Sequence, residues 1–148
     1  MQQEHAFFCD ENKRQPSADA LPGEAPQADA VRRDIALWLG RMMLTLGMPM
    51  GVSGYRYLLL AILLAADAPD YLRHMTRLLY PAVAERFGTT ACAVERAIRH
   101  AIEVCWQRGR IEDFNATIGF RMVSQQERPG NRELIALFAA CVRSRRID

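Results

Sequence analysis

The chain has 148 residues, of which 50% are hydrophobic and 24% charged, which is enough to bury the core of one domain with a flank. Its net charge of +2 hides a division, because residues 1–30 carry −4 and residues 31–148 carry +6. Lys13 is the only Lys, so every basic residue of 31–148 is Arg. A basic part behind an acidic one favours a phosphate-bearing partner without establishing one.

Composition and spacing exclude several classes of protein. No apolar run approaches the roughly 20 residues of a membrane span, and the N-terminus lacks the pattern of a signal peptide. We therefore expect a soluble cytoplasmic protein that does not contact a membrane. The four Cys and three His have no metal-ligand spacing, and no nucleotide-binding or hydrolase motif occurs. The expectation is a protein that is not an enzyme and holds no metal or cofactor.

The first 30 residues differ in composition from the rest. Residues 10–30 contain three Pro and no aromatic residue, so they cannot bury enough surface to offset the chain entropy lost on folding. We expect residues 1–30 to form a disordered acidic tail and residues 31–148 to form one domain.

After the tail, apolar residues recur at helical spacing, and Gly and Pro divide the pattern into about six helices. The second is nearly all apolar and is expected to be the buried central helix, while Pro81 marks a kink or a break in the third. Asn131 is expected to cap the last helix. No strand pattern competes, so the predicted fold class is all-α. The predicted helices cover about residues 29–46, 53–67, 70–87, 91–107, 112–118 and 131–145.

The fourth helix, about residues 91–107, is amphipathic. At 100° per residue its apolar residues, among them Val94, Ile98 and Cys105, share one arc. This arc is expected to be buried, and the opposite one to be exposed. The residues on the opposite arc are Cys92, Glu95, Arg96, Arg99, His100, Glu103, Trp106 and Gln107.

A helix-turn-helix is indicated where the third and fourth helices meet. Ala84 is small enough for two crossing helices, Gly88 tolerates a positive φ in the turn, and Val94 can pack back. Thr90 can cap the fourth helix and leave free N–H groups for a phosphate. Helix–Gly–helix corners are common in helical proteins, so the spacing supports a plain structural corner as well as it supports DNA binding.

The polar arc of the fourth helix favours DNA. Arg96, Arg99 and His100 are residues that contact base edges or phosphates. The alternative is a solvated face, because Arg99 lies one turn from both Glu95 and Glu103 and can form ion pairs with either.

The run from Leu79 to Phe114 resembles the C-terminal effector domain of the family of sporulation master response regulators, stage zero sporulation protein A. The likeness is most specific in VERAIRHAIEVCW, Val94 to Trp106, where Cys105 replaces the usual Ala. It spans about residues 35–145. Its other parts are Met48-Pro49, Gly54-Tyr55-Arg56-Tyr57-Leu58, Ile111, Gly119-Phe120, Pro129 and the final helix.

The resemblance implies a sequence-specific DNA-binding transcription regulator whose recognition helix, about residues 91–107, enters the major groove. It also implies that the domain binds double-stranded DNA as a head-to-tail pair on tandem repeats of a short element. Carried over by position, Glu95 and Arg96 contact base edges, and Arg99 and His100 hold phosphates or support these base-reading residues. Thr90 and Cys92 lie at the phosphate-facing start of the helix.

The same resemblance implies a protein partner. The family uses the segment matching Ile111 to Phe120 to touch the RNA polymerase sigma factor. Glu112, Asp113 and Asn115 are therefore candidate polymerase contacts, and an ordinary solvated short helix is the equal alternative.

Two departures leave a second function open. Cys92-Ala93 stands where the family usually has Ser-Arg, and losing one such DNA contact typically costs about 1–3 kcal/mol. The receiver domain of full-length members has no counterpart in the short acidic tail. The alternative is a receiver-less interaction protein that modulates a full-length relative without strong specific DNA binding.

Overall fold

The computed structural model describes residues 25–147, with side chains described for residues 28–146. These residues form seven α-helices and one π-helical segment, and the part of the chain so described contains no strand, only an isolated bridge between Ser124 and Glu127. The predicted all-α class is confirmed. The helices are α1 (Ala25–Leu46), α2 (Ser53–Asp67), α3 (Asp70–Arg73), the π-helix (Met75–Leu79), α4 (Tyr80–Phe87), α5 (Ala91–Gln107), α6 (Ile111–Ile118) and α7 (Asn131–Ile147).

The chain divides into two units, Met1–Ile35 and Ala36–Asp148. Of the first unit, the structure describes the opening turns of α1, which begins at Ala25, before the predicted start. The rest of the predicted tail lies outside the described residues. None of the helices between residues 25 and 147 combines the length and hydropathy that a membrane crossing needs.

Helix α2 is the centre of the second unit, as its apolar sequence predicts. Its bounds, Ser53–Asp67, coincide with the predicted ones, and it packs against both α5 and α7. Leu58, Ala61 and Ile62 are completely buried along it. In the last helix, Leu134 and Phe138 are buried as expected. The central position follows from the fact that two opposite sides of α2 are apolar.

The third predicted helix is broken, and the break precedes Pro81. Helix α3 ends at Arg73, and a π-helical segment follows in which the Leu79 N–H donates to the His74 carbonyl five residues back. Pro81 stands at the start of α4, where a residue without an N–H is tolerated. Of the two alternatives for Pro81, the structure has the break into shorter helices.

Among the glycines described, Gly54 in the first turn of α2 makes the closest approach to another helix. A Cβ added to Gly54 would lie 2.2 Å from the Ala97 carbonyl oxygen and 2.9 Å from the Ala101 Cβ. Real Cβ atoms do not come so close to a backbone oxygen. The absence of a side chain at Gly54 therefore sets the distance between α2 and the middle of α5.

Replacing Gly54 with Ala is expected to lower the free energy of unfolding by about 3 kcal/mol in a urea titration. Without the contact, Gly→Ala in a helix would stabilise by about 1 kcal/mol, but here the added carbon meets backbone that must shift. Gly51→Ala is the matched control, because its Cβ meets nothing within 4 Å. A Gly54→Ala protein as stable as the Gly51→Ala protein would contradict this account.

Candidate nucleic-acid interface

The predicted turn between α4 and α5 has the expected backbone. Gly88 has φ +68° and ψ +38°, in the left-handed region, and its N–H donates to the Ala84 carbonyl. The Thr89 N–H donates to the same carbonyl at 3.0 Å, and Ala84 is buried. The small residue and the glycine predicted for a helix-turn-helix therefore occupy the positions that the turn requires.

Thr90 caps α5. It has extended backbone, φ −107° and ψ 156°, and its hydroxyl oxygen accepts from the Ala93 N–H at 3.1 Å. Thr90 is exposed. The other N–H groups of the first turn have no partner within the helix, so this end has the polarity that attracts an anion.

The inner face of α5 is the apolar arc predicted from its sequence, with one correction. Val94, Ile98 and Cys105 are completely buried, but Trp106, predicted to be exposed, is also buried. The Trp106 Nε1–H donates to the Ser124 carbonyl at 2.8 Å, and the backbone after α6 covers the ring. The helical period could not show this cover, because it comes from residues distant in sequence.

The outer face of α5 presents most of the predicted DNA-contacting residues. Cys92, Arg96, Arg99 and His100 are exposed. Glu95 is half-buried, and its carboxylate pairs with Arg99 one turn along. The structure thus brings these residues onto one face together with Thr90, while their individual roles stay predictions.

Asn131 does not cap its own helix as predicted. Its Nδ2 donates to the Tyr80 hydroxyl and to the Glu95 carbonyl, each at 3.1 Å. The carboxylate of Glu133 accepts from the Gly130 N–H at 2.9 Å, so Gly130 occupies the capping position. One amide of α7 therefore ties α4 and α5 together on the side of α5 that carries Glu95.

The candidate polymerase contacts separate into two groups. Glu112 and Asp113 are exposed in the first turn of α6, and Glu112 faces Arg121 at 3.7 Å. Asn115 is 93% buried, which removes it from the contact surface. Its Nδ2 donates to the Val123 carbonyl at 2.7 Å, and its Oδ1 accepts from two backbone N–H groups of residues 122 and 123. The Asn115 side chain is thus a structural anchor for the loop after α6.

An apolar groove beside α6 was not singled out by any sequence pattern. It has a volume of about 580 Å³. Phe120, just beyond α6, lies at this groove and is 59% exposed, and Arg145 stacks over Trp38 at 5.0 Å on another wall. In the sequence only the pair Gly119-Phe120 hints at it, because an aromatic residue directly after a turn glycine can be left uncovered.

Within residues 25–147, no group of three or more His, Cys, Asp or Glu side chains could hold a metal ion. The cysteines described there are free thiols in three environments. Cys92 is exposed, Cys141 is half-buried, and Cys105 is buried with its thiol donating to the Leu46 carbonyl at 3.5 Å. Burial raises the pKa of the Cys105 thiol to about 12, because the thiolate would lose its hydration.

One comparison with known proteins adds to this geometry. The family model described as "Sporulation initiation factor Spo0A C terminal" matches residues 39–142. The matched region runs from the second half of α1 into α7, and it contains the turn, the whole of α5 and the groove residues of α6.

Replacing Gly88 with Ala is expected to lower the free energy of unfolding by about 1 kcal/mol, measured by urea titration. The cost comes from the positive φ alone, because a Cβ at Gly88 has no neighbour within 4 Å. Gly88→Asn is the matched control and should cost less, since Asn tolerates left-handed backbone. Equal stability of the Ala and Asn variants would show that the turn conformation is not the cause.

Alkylation at pH 8 is expected to modify Cys92 rapidly and to leave Cys105 unmodified in the folded protein. With a pKa of about 12, the Cys105 thiol has a negligible thiolate fraction at pH 8, and it is also shielded. Peptide mass spectrometry after timed iodoacetamide treatment gives both rates. Urea-unfolded protein is the control, in which the two thiols should react alike. Equal rates in the folded protein would contradict the burial of Cys105.

Proposed function

The chain belongs to the family of the sporulation initiation factor Spo0A C-terminal domain, a family of DNA-binding regulatory domains and not of enzymes, and we propose that it is a sequence-specific transcription regulator that reads DNA with α5. The observation that supports this proposal best is the division of α5 into two faces. Its inner face is locked against α2 and α4, and its outer face exposes Arg96, Arg99 and His100 beside the Thr90 cap.

The side chains of the outer face divide into those suited to base edges and those suited to phosphates. Arg96 belongs to no ion pair among the described residues, so its guanidinium is available for the bidentate contact that Arg makes to a guanine edge. Arg99 pairs with Glu95, so it can hold a phosphate or support Glu95, whose carboxylate can accept from a cytosine amino group. His100 and the Thr90 end of α5 are assigned to phosphates.

The proposal includes two protein partners, a second copy of the chain and the RNA polymerase sigma factor. Two copies would bind head to tail on tandem repeats in the DNA. The RNA polymerase sigma factor would meet α6 at Glu112 and Asp113, and the exposed Phe120 beside the apolar groove gives this contact an aromatic anchor. Asn115 has no part in it, because its amide holds the loop after α6.

The Arg96→Ala variant is expected to bind a duplex that contains the family's repeat element about 10- to 100-fold more weakly than the unaltered protein. Its binding to a scrambled duplex should change little, so the ratio of the two affinities falls. Fluorescence anisotropy at two salt concentrations measures both. Arg146→Ala is the control, because Arg146 pairs with Asp67 at the far end of α2.

Equal weak binding to both duplexes, with a steep salt dependence, would contradict sequence-specific reading. That outcome would favour the alternative of an interaction protein that modulates a full-length relative. Ala93, in the first turn of α5 at a position where an Arg contact is missing, is the residue that favours this alternative.

A further inference from the structure

A cation outside α5 lies beside the helix-turn-helix. Arg56 is exposed in the first turn of α2, and its guanidinium carbon lies over the Phe87 ring at 5.0 Å from the centroid. Phe87 is the last residue of α4 and directly precedes Gly88. The guanidinium of Arg56 is therefore held at the turn that leads into the start of α5.

The position of this guanidinium is supported from two sides. Tyr57 packs on the Phe87 ring with the centroids 5.1 Å apart and the planes tilted by 56°, so the ring is a fixed platform. Two residues before Arg56, Gly54 lies against the Ala97 carbonyl of α5. The first turn of α2 thus touches both helices of the helix-turn-helix.

The contact with Phe87 leaves the N–H donors of the Arg56 guanidinium available for an anion. Arg meets an aromatic ring through its face, whereas its five N–H donors lie at the edge of its plane. The ion pairs of the described residues do not include Arg56. A guanidinium that already lies over a ring loses less side-chain entropy when it binds an anion than a freely moving one does.

We propose that Arg56 is a DNA-phosphate contact that extends the interface from α5 onto the start of α2. This inference rests on the proposed function, because it takes α5 to lie in the major groove. The strands that border the groove then pass the ends of the recognition helix, and phosphate contacts on neighbouring elements fix its register. Arg56 contributes affinity without reading sequence.

The test is the salt dependence of DNA binding by Arg56→Gln. We expect its affinity to fall about 3- to 10-fold at moderate salt, by the same factor on the repeat-containing and the scrambled duplex. The slope of log K against log salt should become less steep by about 1, because one phosphate contact is lost. The ratio of the two affinities stays constant, in contrast to the result expected for Arg96→Ala.

Two further variants make the assignment specific. Arg56→Lys keeps the charge and should keep the slope, and Arg146→Gln removes an equal charge at the far end of α2 and should change neither slope nor affinity. Urea midpoints verify that each variant is folded. An unchanged slope and affinity in Arg56→Gln, with DNA binding by the unaltered protein intact, would overturn the Arg56 assignment alone. Absence of any DNA binding by the unaltered protein would overturn the proposed function as well.

Discussion

The contact between Gly54 and the Ala97 carbonyl is the constraint on which the candidate interface depends. Because Gly54 has no side chain, α2 approaches the backbone of α5 closely, and the centre of the apolar arc of α5, with Val94, Ile98 and Ala101, is completely buried. Most of the opposite arc is then exposed, including Arg96, Arg99 and His100, whereas Trp106 at its end is buried. The same approach sets the first turn of α2 beside the end of α4, which places Arg56 over Phe87. This backbone contact in the core thus contributes to which face of α5 is exposed.

Helix α5 is also held from the side of the loop after α6. The Gln125 amide donates to the Trp106 carbonyl at 2.9 Å, and Arg128 faces Glu103 at 3.8 Å. Asn115 anchors the beginning of this loop, and Asn131 at its end donates to the Glu95 carbonyl. The segment assigned to a polymerase contact and the helix assigned to DNA are therefore connected through one run of backbone and side-chain hydrogen bonds.

The sequence predicted the elements well where local signals agree. The bounds of α2 and α5 are as predicted, because Pro69 follows the apolar run of α2 and Thr90 precedes the apolar periodicity of α5. Three predictions from the sequence were wrong: the exposure of Trp106, the place of Asn115 on a contact surface, and the capping of α7 by Asn131. Each of these side chains uses its polar atoms on residues elsewhere in the fold, and helical periodicity or capping preference contains no information about such partners.

The sequence by itself determined the all-α class, the turn at Gly88 and the chemical character of α5, since these depend on residues within one or two helical turns of each other. Its likeness to a known family indicated DNA as the partner. Only the tertiary structure decided that Asn115 is an anchor and that Arg56 stands beside the turn. Arg56 meets Phe87 from a different helix, and the Asn115 amide bonds to the backbone of residues 122 and 123 beyond the end of its own helix. Neither partner follows from the helical pattern, because only the folded chain brings these groups together.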